Sequence, residues 1–255
     1  MNEDWRLIDL SVADCYTQMA TDEAIAEACG KGLSPSTIRL YRWNPSAVSL
    51  GYFQSLEDEV DTEACRRLGV DIIRRVSGGG AVFHDYNGEI TYSLITPEDD
   101  PKIPRDIDQS YAVICKGIVR ALDSLGLQAE FKPINDIAVS GRKISGNAQT
   151  RRYGAVLQHG TVLVDFDPKT MFTVLKVSQE KISDKLIKQV EERVTTIRRE
   201  LRSQTSFDQV RDALVSGFED ALSLHLLPGS ITSHEAELVK RHRAKYSSPE
   251  WTGRR

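Results

Sequence analysis

Apolar residues recur at helical spacing in several stretches of the chain. In residues 17–28, small apolar side chains follow one another three and four positions apart, which predicts an amphipathic helix that ends at Gly30 and Gly32. Residues 108–125 repeat this pattern over a longer segment, and Gly126 marks its end. Further helices are predicted over residues 61–68, 168–175, 183–190, 206–223 and 233–246.

Strands are predicted mainly in the first two thirds of the chain. Residues 37–43 alternate in polarity, the turn Asn44-Pro45-Ser46 follows, and a second strand is predicted over 47–50. Ser140-Gly141 has the composition of a hairpin turn. The other predicted strands cover residues 70–75, 89–95, 137–139, 142–145 and 155–164. Because helices dominate after residue 167, we predict an α+β fold in which helices flank a mostly antiparallel or mixed central sheet.

Composition narrows the class of protein. The 255 residues contain no internal repeat or obvious linker, which favours a single domain over residues 1–255, with a division near Asp167 as the alternative. The net charge of −4 argues against a nucleic-acid binder. The four cysteines form no CxxC pair, so free thiols in a reducing cytoplasm are expected. No apolar run approaches the ~20 residues of a membrane-spanning helix, and the acidic N-terminus is unlike a secretory signal. A cytoplasmic location without a membrane partner is therefore expected.

A glycine-rich segment follows the predicted strand at 70–75. Three consecutive glycines occupy positions 78–80. Each lowers the stability of the fold by roughly 0.5–1 kcal/mol relative to alanine, because glycine loses more conformational entropy on folding. Without Cβ atoms this backbone can approach a ligand closely, and Arg74 and Arg75 could supply charge for phosphate or carboxylate oxygens. The alternative is a plain hairpin turn with two surface arginines. The segment matches neither GxxxxGK[ST] nor GxGxxG, so a conventional nucleotide-binding domain is disfavoured.

A lysine stands at the centre of a second dense segment, residues 133–149. On a strand, Lys143 and Ser145 would share one face while Ile144 would face the core, so the lysine would point to a cleft or to solvent. Asn135-Asp136 forms either a turn or a site in which the aspartate holds Mg²⁺ and the asparagine contacts a nucleotide. Spacing alone leaves these alternatives open.

Taken together, the two segments resemble the catalytic domain of the lipoate-protein ligase A family, which shares its fold with biotin-protein ligases and class II aminoacyl-tRNA synthetases. The resemblance covers nearly the whole chain in the family's order, in the form without the small C-terminal domain of longer ligases. It is carried by residues 74–85, by Asn135-Asp136, and by residues 141–149, with further similarity at 50–54, 157–160 and 245–251.

The resemblance implies a ligase that activates lipoic or octanoic acid with ATP and Mg²⁺ and passes the acyl group from acyl-AMP to a carrier lysine. It implies that Lys143 is the catalytic residue, because a fixed ammonium would stabilise the negative charge that grows on the acyl and phosphate oxygens. Asp136 would hold the metal. The acyl group would contact Arg75, Ser77, Gly78, Gly79, His84, Gly146 and His159. The nucleotide would contact Arg74, Gly80, Ala81, Val82, Phe83, Asn135, Asp136, Lys143, Asn147 and Ala148.

The resemblance also implies partner proteins, and two alternative functions stay open. The implied partner is a lipoyl-carrier protein domain, of the glycine cleavage H protein or 2-oxoacid dehydrogenase E2 type. For adenylation the chain would either need a separate small accessory subunit or use preformed lipoyl-adenylate. The first alternative is an octanoyl or lipoyl transferase that uses a thioester donor. In one branch of the fold the nucleophilic cysteine of such transferases lies shortly before the lysine, but residues 130–137 of this chain contain no cysteine. Cys115 falls in a predicted helix, where a role in the core is expected. The second alternative is a non-catalytic module that binds lipoate or a carrier protein.

Overall fold

Two β-sheets and the helices around them build the protein. The computed structural model describes residues 3–165, 167–176 and 192–254, so the helix predicted over 183–190 lies outside the described residues. The strands are β1 (Glu3–Ala13), β2 (Thr37–Trp43), β3 (Ala47–Leu50), β4 (Asp71–Arg74), β5 (Val82–His84), β6 (Glu89–Pro97), β7 (Ala129–Lys132), β8 (Asp136–Val139), β9 (Arg142–Arg152), β10 (Ala155–Leu163) and β11 (Leu224–Pro228).

The described helices lie before, between and after these strands in the sequence. They are α1 (Cys15–Gly30), α2 (Leu56–Glu59), α3 (Thr62–Leu68), α4 (Ile107–Ser124), α5 (Pro168–Val174), α6 (Ile197–Leu201), α7 (Phe207–Leu222), α8 (Ser233–Tyr246) and α9 (Pro249–Thr252). Side chains satisfy their first backbone N–H groups: Asp14 caps α1, and Ser206 and Thr232 form capping boxes with Gln209 and Glu235. No described helix has the length and apolar character to cross a membrane.

The larger sheet has eight strands in the order β11-β1-β2-β6-β10-β9-β8-β7. The pairs β11–β1 and β1–β2 are parallel, and the remaining pairs are antiparallel. The smaller sheet has the order β4-β3-β5, with β3 parallel to β4 and antiparallel to β5. The predicted α+β class with a mostly antiparallel or mixed sheet is therefore confirmed.

Helices cover both faces of the larger sheet, because side chains alternate along its strands. In β2, Leu40 belongs to a core cluster with α4 and α7, whereas Tyr41 belongs to another cluster with α1 and α8. Helices α4 and α7 approach closely, since a Cβ on Gly117 would lie 2.3 Å from the Phe218 ring. A third cluster joins the smaller sheet to α3 and α5.

Several elements differ from the predictions. The strands β1, β5, β7 and β11 and the short helices α2, α6 and α9 were not predicted, and β11 brings the last third of the chain into the sheet beside β1. Helix α1 was predicted to have one polar, exposed face, but residues 18–29 are all buried, polar side chains included. Distant partners satisfy those polar groups, as Arg39 does for Asp22 and Lys245 for Glu23.

Candidate functional site

Residues from both sheets line one cavity of about 330 Å³. Its wall is mainly apolar, and the charged side chains that reach it are Arg75, Glu89 and Lys143, with the imidazoles of His84 and His159 beside them. The apolar residues of the wall are Met19, Tyr41, Trp43, Ala81, Val82, Phe83, Ala148, Leu163, Met171, Leu175 and Val194. A concave, mostly apolar space with a few polar groups is the usual form of a small-molecule site.

The glycine-rich bend is folded around the guanidinium of Arg75. Nη2 of Arg75 donates to the carbonyl oxygens of Gly78 at 2.7 Å and Gly80 at 2.8 Å. Gly79 has φ +95°, and a Cβ there would lie 2.8 Å from that same nitrogen. Across the bend, a Cβ on Gly51 would lie 1.9 Å from the Gly79 carbonyl oxygen. Glycine is therefore required at positions 51 and 79 for the bend to reach the cavity.

The two arginines of this segment have different roles. Arg75 lines the cavity, and burial lowers its pKa to about 10. Arg74 is fully buried and does not line the cavity. Its guanidinium donates to backbone carbonyl oxygens, including those of Gln54 at 2.6 Å and Thr252 at 2.8 Å. Arg74 therefore joins β4 to the C-terminal segment, and its predicted contact with a nucleotide stays a prediction.

Lys143 reaches the cavity as predicted, and Ile144 packs in the core. The pairing of β8 with β9 shifts here: Lys143 is opposite Ala138, whereas Ser145 is opposite Ile137. This bulge breaks the simple alternation, and Ser145 is fully buried rather than beside Lys143 in the cavity. The lysine Nζ lies 2.6 Å from Oδ1 of Asp136, and its stem passes over Gly146. The Asp136 carboxylate thus holds the ammonium at the cavity.

Asn135 and Asn147 bond to one another's backbone. Nδ2 of Asn147 donates to the Asn135 carbonyl at 2.8 Å, and Nδ2 of Asn135 donates to the Asn147 carbonyl. Oδ1 of Asn147 accepts from the Tyr92 hydroxyl at 2.7 Å. These amides fix the segment before β8 against β9, where Lys143 lies.

A serine, a histidine and a glutamate form a continuous hydrogen-bonded chain along the cavity. Oγ of Ser49 lies 2.8 Å from Nε2 of His84, and Nδ1 of His84 lies 2.6 Å from Oε1 of Glu89. The His84 ring stacks on Trp43 with centroids 4.1 Å apart. Thr91 donates to the same oxygen of Glu89 at 2.8 Å. All three members of the chain line the cavity.

A second serine and histidine meet nearby. Oγ of Ser77 lies 2.6 Å from Nε2 of His159, and Nδ1 of His159 lies 3.4 Å from Oδ2 of Asp22. Burial lowers the pKa of His159, and Asp22 opposes that shift. Burial by itself would raise the pKa of Asp22, but Arg39 and His159 bring it below its ordinary value. Only His159 of this chain lines the cavity.

The cavity brings together most of the residues predicted for the site. Those that line it are Arg75, Gly79, Gly80, Ala81, Val82, Phe83, His84, Asn135, Lys143, Gly146, Asn147, Ala148 and His159. Arg74, Ser77, Gly78 and Asp136 are not among the lining residues. Sequence reasoning missed Ser49, Glu89 and the apolar residues of α1 and α5. The spacing from Ser49 to His84 is 35 residues, so no local pattern joins them.

In the described part of the chain, no cysteine lines the cavity and no metal-binding cluster is found. All four cysteines are buried, and burial raises the pKa of Cys115 to about 12. Within residues 3–165, 167–176 and 192–254, no group of three or more His, Cys, Asp or Glu side chains could hold a metal ion. Asp136, to which the sequence assigned Mg²⁺, is instead the ion-pair partner of Lys143.

Comparison with known proteins assigns the family. The sequence model of the lipoyl protein ligase A/B catalytic domain matches residues 14–219. The chain belongs to this family. A curated relative from Kyrpidia tusciae, octanoyltransferase LipM, is 37% identical over 98% of this chain and 99% of its own length. Further relatives named octanoyltransferase LipM, among them that of Bacillus subtilis at 33% identity, cover 99% of this chain and 99% of their own length.

Solved structures agree on the fold. A bi-partite lipoate protein ligase from Thermoplasma acidophilum superposes with a TM-score of 0.87 at 33% identity, covering 98% of this chain and 96% of its own. Biotin protein ligase from Aquifex aeolicus has a TM-score of 0.50 at 12% identity, over 86% of this chain and 70% of its own. The predicted family and the fold shared with biotin-protein ligases are confirmed.

The predicted reaction is corrected by the curated relatives. They are named octanoyltransferases and not AMP-forming ligases. The predicted ATP-dependent ligase is therefore wrong, and the first alternative, a transferase, is better supported. The roles given to ATP, acyl-AMP and Mg²⁺ are unsupported with it. The place of the enzyme in lipoylation, as a transferase of a lipoyl-type acyl group, is retained.

Proposed function

We propose that this protein is an octanoyltransferase that moves an octanoyl group from a thioester donor to a lysine side chain of a lipoyl-carrier protein domain. The observation that carries the proposal is the cavity itself, whose lining combines a mostly apolar wall with the side chain of Lys143. A slender acyl chain would contact the apolar residues, and its carbonyl oxygen would lie beside the ammonium. The relatives named octanoyltransferase LipM support this choice of acyl group and reaction.

Lys143 would act on the acyl carbonyl. When a nucleophile attacks a thioester, negative charge grows on the carbonyl oxygen, and a fixed ammonium beside it lowers the barrier. In the free enzyme, Asp136 compensates that ammonium at 2.6 Å. The bend at residues 78–80 and Arg75 would close the opposite wall around the chain, which gives the predicted acyl-binding residues a role without a nucleotide.

A thioester is already an activated acyl donor, so the reaction requires neither ATP nor a separate adenylating subunit. Under this proposal residues 1–255 act as a single catalytic domain. Lipoic acid remains the second acyl group to test, because one relative from Thermoplasma acidophilum, 31% identical, was crystallised with bound lipoic acid. Apolar cavities distinguish similar chains weakly, with ratios of about 10–200-fold per methylene.

The acceptor is proposed to be a lipoyl domain of the glycine cleavage H protein or 2-oxoacid dehydrogenase E2 type. The bi-partite ligase relative was studied together with an E2 lipoyl domain, which supports this class of acceptor. Three basic residues near the C-terminus pair with carboxylates of helix α1 or its cap: Arg241 with Glu27, Arg243 with Asp14, and Lys245 with Glu23.

The test combines the purified protein with octanoyl thioester on an acyl carrier protein and a lipoyl domain, without ATP. Mass spectrometry should find one octanoyl group on the lipoyl domain, at its acceptor lysine. Lys143→Ala should lower the rate by roughly 10²–10³-fold, as loss of an oxyanion-stabilising group does. Lys240→Ala, which removes an exposed lysine paired with Glu237, is the matched control. No transfer from the thioester by the wild-type protein would refute the proposal.

A further inference from the structure

We infer that Ser49 is a nucleophile in this cavity, activated by His84 and Glu89, and that the acyl group passes through an ester of Ser49. The donor and acceptor in this inference rest on the proposed function. The nucleophilicity of the serine does not, because it follows from the hydrogen bonds of the cavity wall. Acyl transfer through an enzyme-bound ester divides one difficult step into two easier ones.

The hydrogen bonds suit proton transfer from Ser49 to His84. In the tautomer that carries the proton on Nδ1, His84 donates to the Glu89 carboxylate across 2.6 Å. Nε2 of that tautomer is an acceptor for the Ser49 hydroxyl, 2.8 Å away. These are the relations between nucleophile, base and orienting carboxylate that define a catalytic triad. Stacking on Trp43 holds the imidazole plane in place.

The neighbouring groups stabilise negative charge on Ser49 Oγ and positive charge on His84. Nη1 of Arg75 donates to Ser49 Oγ at 3.1 Å and to the Ser49 carbonyl oxygen at 2.9 Å. A guanidinium at that distance stabilises negative charge developing on Oγ. Oε2 of Glu89 is buried and has no hydrogen-bond partner among the described residues. That carboxylate therefore gains from a positive charge on His84, which forms when the imidazole takes the serine proton.

The alternatives to Ser49 as nucleophile are weaker. None of the four cysteines lines the cavity, and each is buried with a raised pKa. The hydroxyl of Thr91 donates to Glu89 and accepts from Trp43 Nε1 at 2.6 Å, so it is engaged on both sides. Ser77 contacts a histidine, but it does not line the cavity. Among the hydroxyls of the described residues, Ser49 combines a histidine partner with a place in the cavity lining.

The proposed reaction balances in two steps. Ser49 Oγ attacks the thioester carbonyl while His84 Nε2 takes its proton; the carbon–sulfur bond breaks, and His84 returns the proton to the leaving thiolate. The amine of the carrier lysine then attacks the Ser49 ester. The carbon–oxygen bond breaks, an amide forms, and His84 moves one amine proton to Ser49 Oγ. No ATP, metal or oxidant enters either step.

Covalent labelling tests the nucleophile directly. A fluorophosphonate with an octyl chain should modify the wild-type protein, with loss of fluoride and formation of a phosphorus–oxygen bond, and peptide mass spectrometry should locate the label on Ser49. Ser49→Ala should abolish the label, whereas Ser77→Ala should keep it on Ser49. A label on another residue, or no label on the folded wild-type protein, would overturn the inference.

Acyl transfer supplies the second readout. Ser49→Ala should lower octanoyl transfer by roughly 10²-fold or more, because both the nucleophile and its base lose their function. Ser49→Cys retains a nucleophile and should accumulate an octanoyl thioester at position 49 that hydroxylamine releases. Circular dichroism checks that both variants fold. If folded Ser49→Ala transfers at the wild-type rate, the ester is wrong while the proposed function stands. If the wild type labels at Ser49 but transfers nothing, the function fails and the nucleophile stands.

Discussion

Two serine–histidine–carboxylate chains lie within the same protein and differ in their access to the cavity. In the chain Ser49–His84–Glu89 every member lines the cavity, and its two contacts measure 2.8 and 2.6 Å. In the chain Ser77–His159–Asp22, only the imidazole reaches the cavity, and its carboxylate contact is 3.4 Å long. The same three types of side chain thus occur once beside a space for substrate and once inside the packed protein.

The carboxylates explain the difference in role. Asp22 accepts from Tyr41 at 3.0 Å and from Ser93 at 2.6 Å, and it pairs with Arg39, so its charge is compensated within the core. Glu89 has His84 and Thr91 on one oxygen and no described partner on the other. A carboxylate already compensated orders the fold, whereas one that lacks compensation favours a cation on its histidine. Residue types alone therefore do not identify a catalytic chain.

The largest difference should appear when the two imidazoles are exchanged for amides. His84→Gln removes the proposed base and should lower octanoyl transfer by roughly 10²–10⁴-fold, the usual contribution of general acid–base catalysis. His159→Gln should act mainly on the denaturation midpoint, because it disturbs the buried contacts of Ser77 and Asp22. Steady-state transfer rates and urea unfolding of both variants check this. A greater loss of kcat in His159→Gln would reverse the assignment of the two chains.

A smaller effect is expected from the bend that covers the Ser49 chain. In Gly51→Ala the new Cβ would lie 1.9 Å from the Gly79 carbonyl oxygen, so backbone must move. Overpacking of this kind costs about 1–3 kcal/mol of unfolding free energy. Gly78→Ala is the control for stability, because a Cβ there meets nothing within 4 Å. Denaturant titration measures both, and equal stability of the two variants would contradict the close approach.

The second chain should make stability depend on pH. The pKa of His159 is lowered in the folded state, chiefly by burial. As pH falls below the unfolded value of about 6.5, the unfolded chain takes up a proton that the folded protein resists, so stability falls by up to ~1.4 kcal/mol per pH unit until the folded pKa is reached. The lowered pKa of Asp22 acts in a separate window, since its stabilising contribution is lost only in stronger acid.

His159→Asn should flatten this dependence. Unfolding free energies measured between about pH 7.5 and about pH 5.5 should fall less steeply in the variant than in the wild type. An unchanged slope in His159→Asn would show that His159 does not take part in the pH response.

The smallest effect is expected at Cys115. Its thiol is buried, accepts from Gln158 Nε2 at 3.7 Å and does not line the cavity. Cys115→Ala should therefore keep the transfer rate within about twofold, although removal of a buried side chain destabilises the core somewhat. Loss of transfer from the octanoyl thioester would instead assign the cysteine a catalytic role and remove the need for Ser49.

Local sequence patterns predicted the elements that form through contacts between residues close together in the sequence. The helix at Ile107–Ser124 and the hairpin turn at Ser140 and Gly141, with φ of 52° and 74°, were recognisable from spacing and composition. Strand β11 was not, because it pairs with β1 about two hundred residues earlier and follows directly from α7. Its five residues, Leu-His-Leu-Leu-Pro, alternate between buried and exposed over only the first four positions, which is too short a pattern to predict a strand.

The site shows the same division. Lys143 and the glycine bend belong to dense local segments, and their convergence on one cavity was predicted. Ser49 lies in a four-residue strand buried at every position, so its sequence gives no sign of a polar role. Its meaning depends on His84 and Arg75, which reach it only after the small sheet has formed. Tertiary contacts, rather than any motif, identify this residue.

A competition between two acyl donors distinguishes transfer from a thioester from ATP-dependent ligation. The purified protein and a lipoyl domain are mixed with deuterated octanoyl thioester, unlabelled octanoate, ATP and Mg²⁺, and the mass of the octanoyl group on the acceptor lysine is measured. The account predicts that the deuterated group is transferred and that omission of ATP changes nothing. Incorporation of unlabelled octanoate that depends on ATP would contradict it.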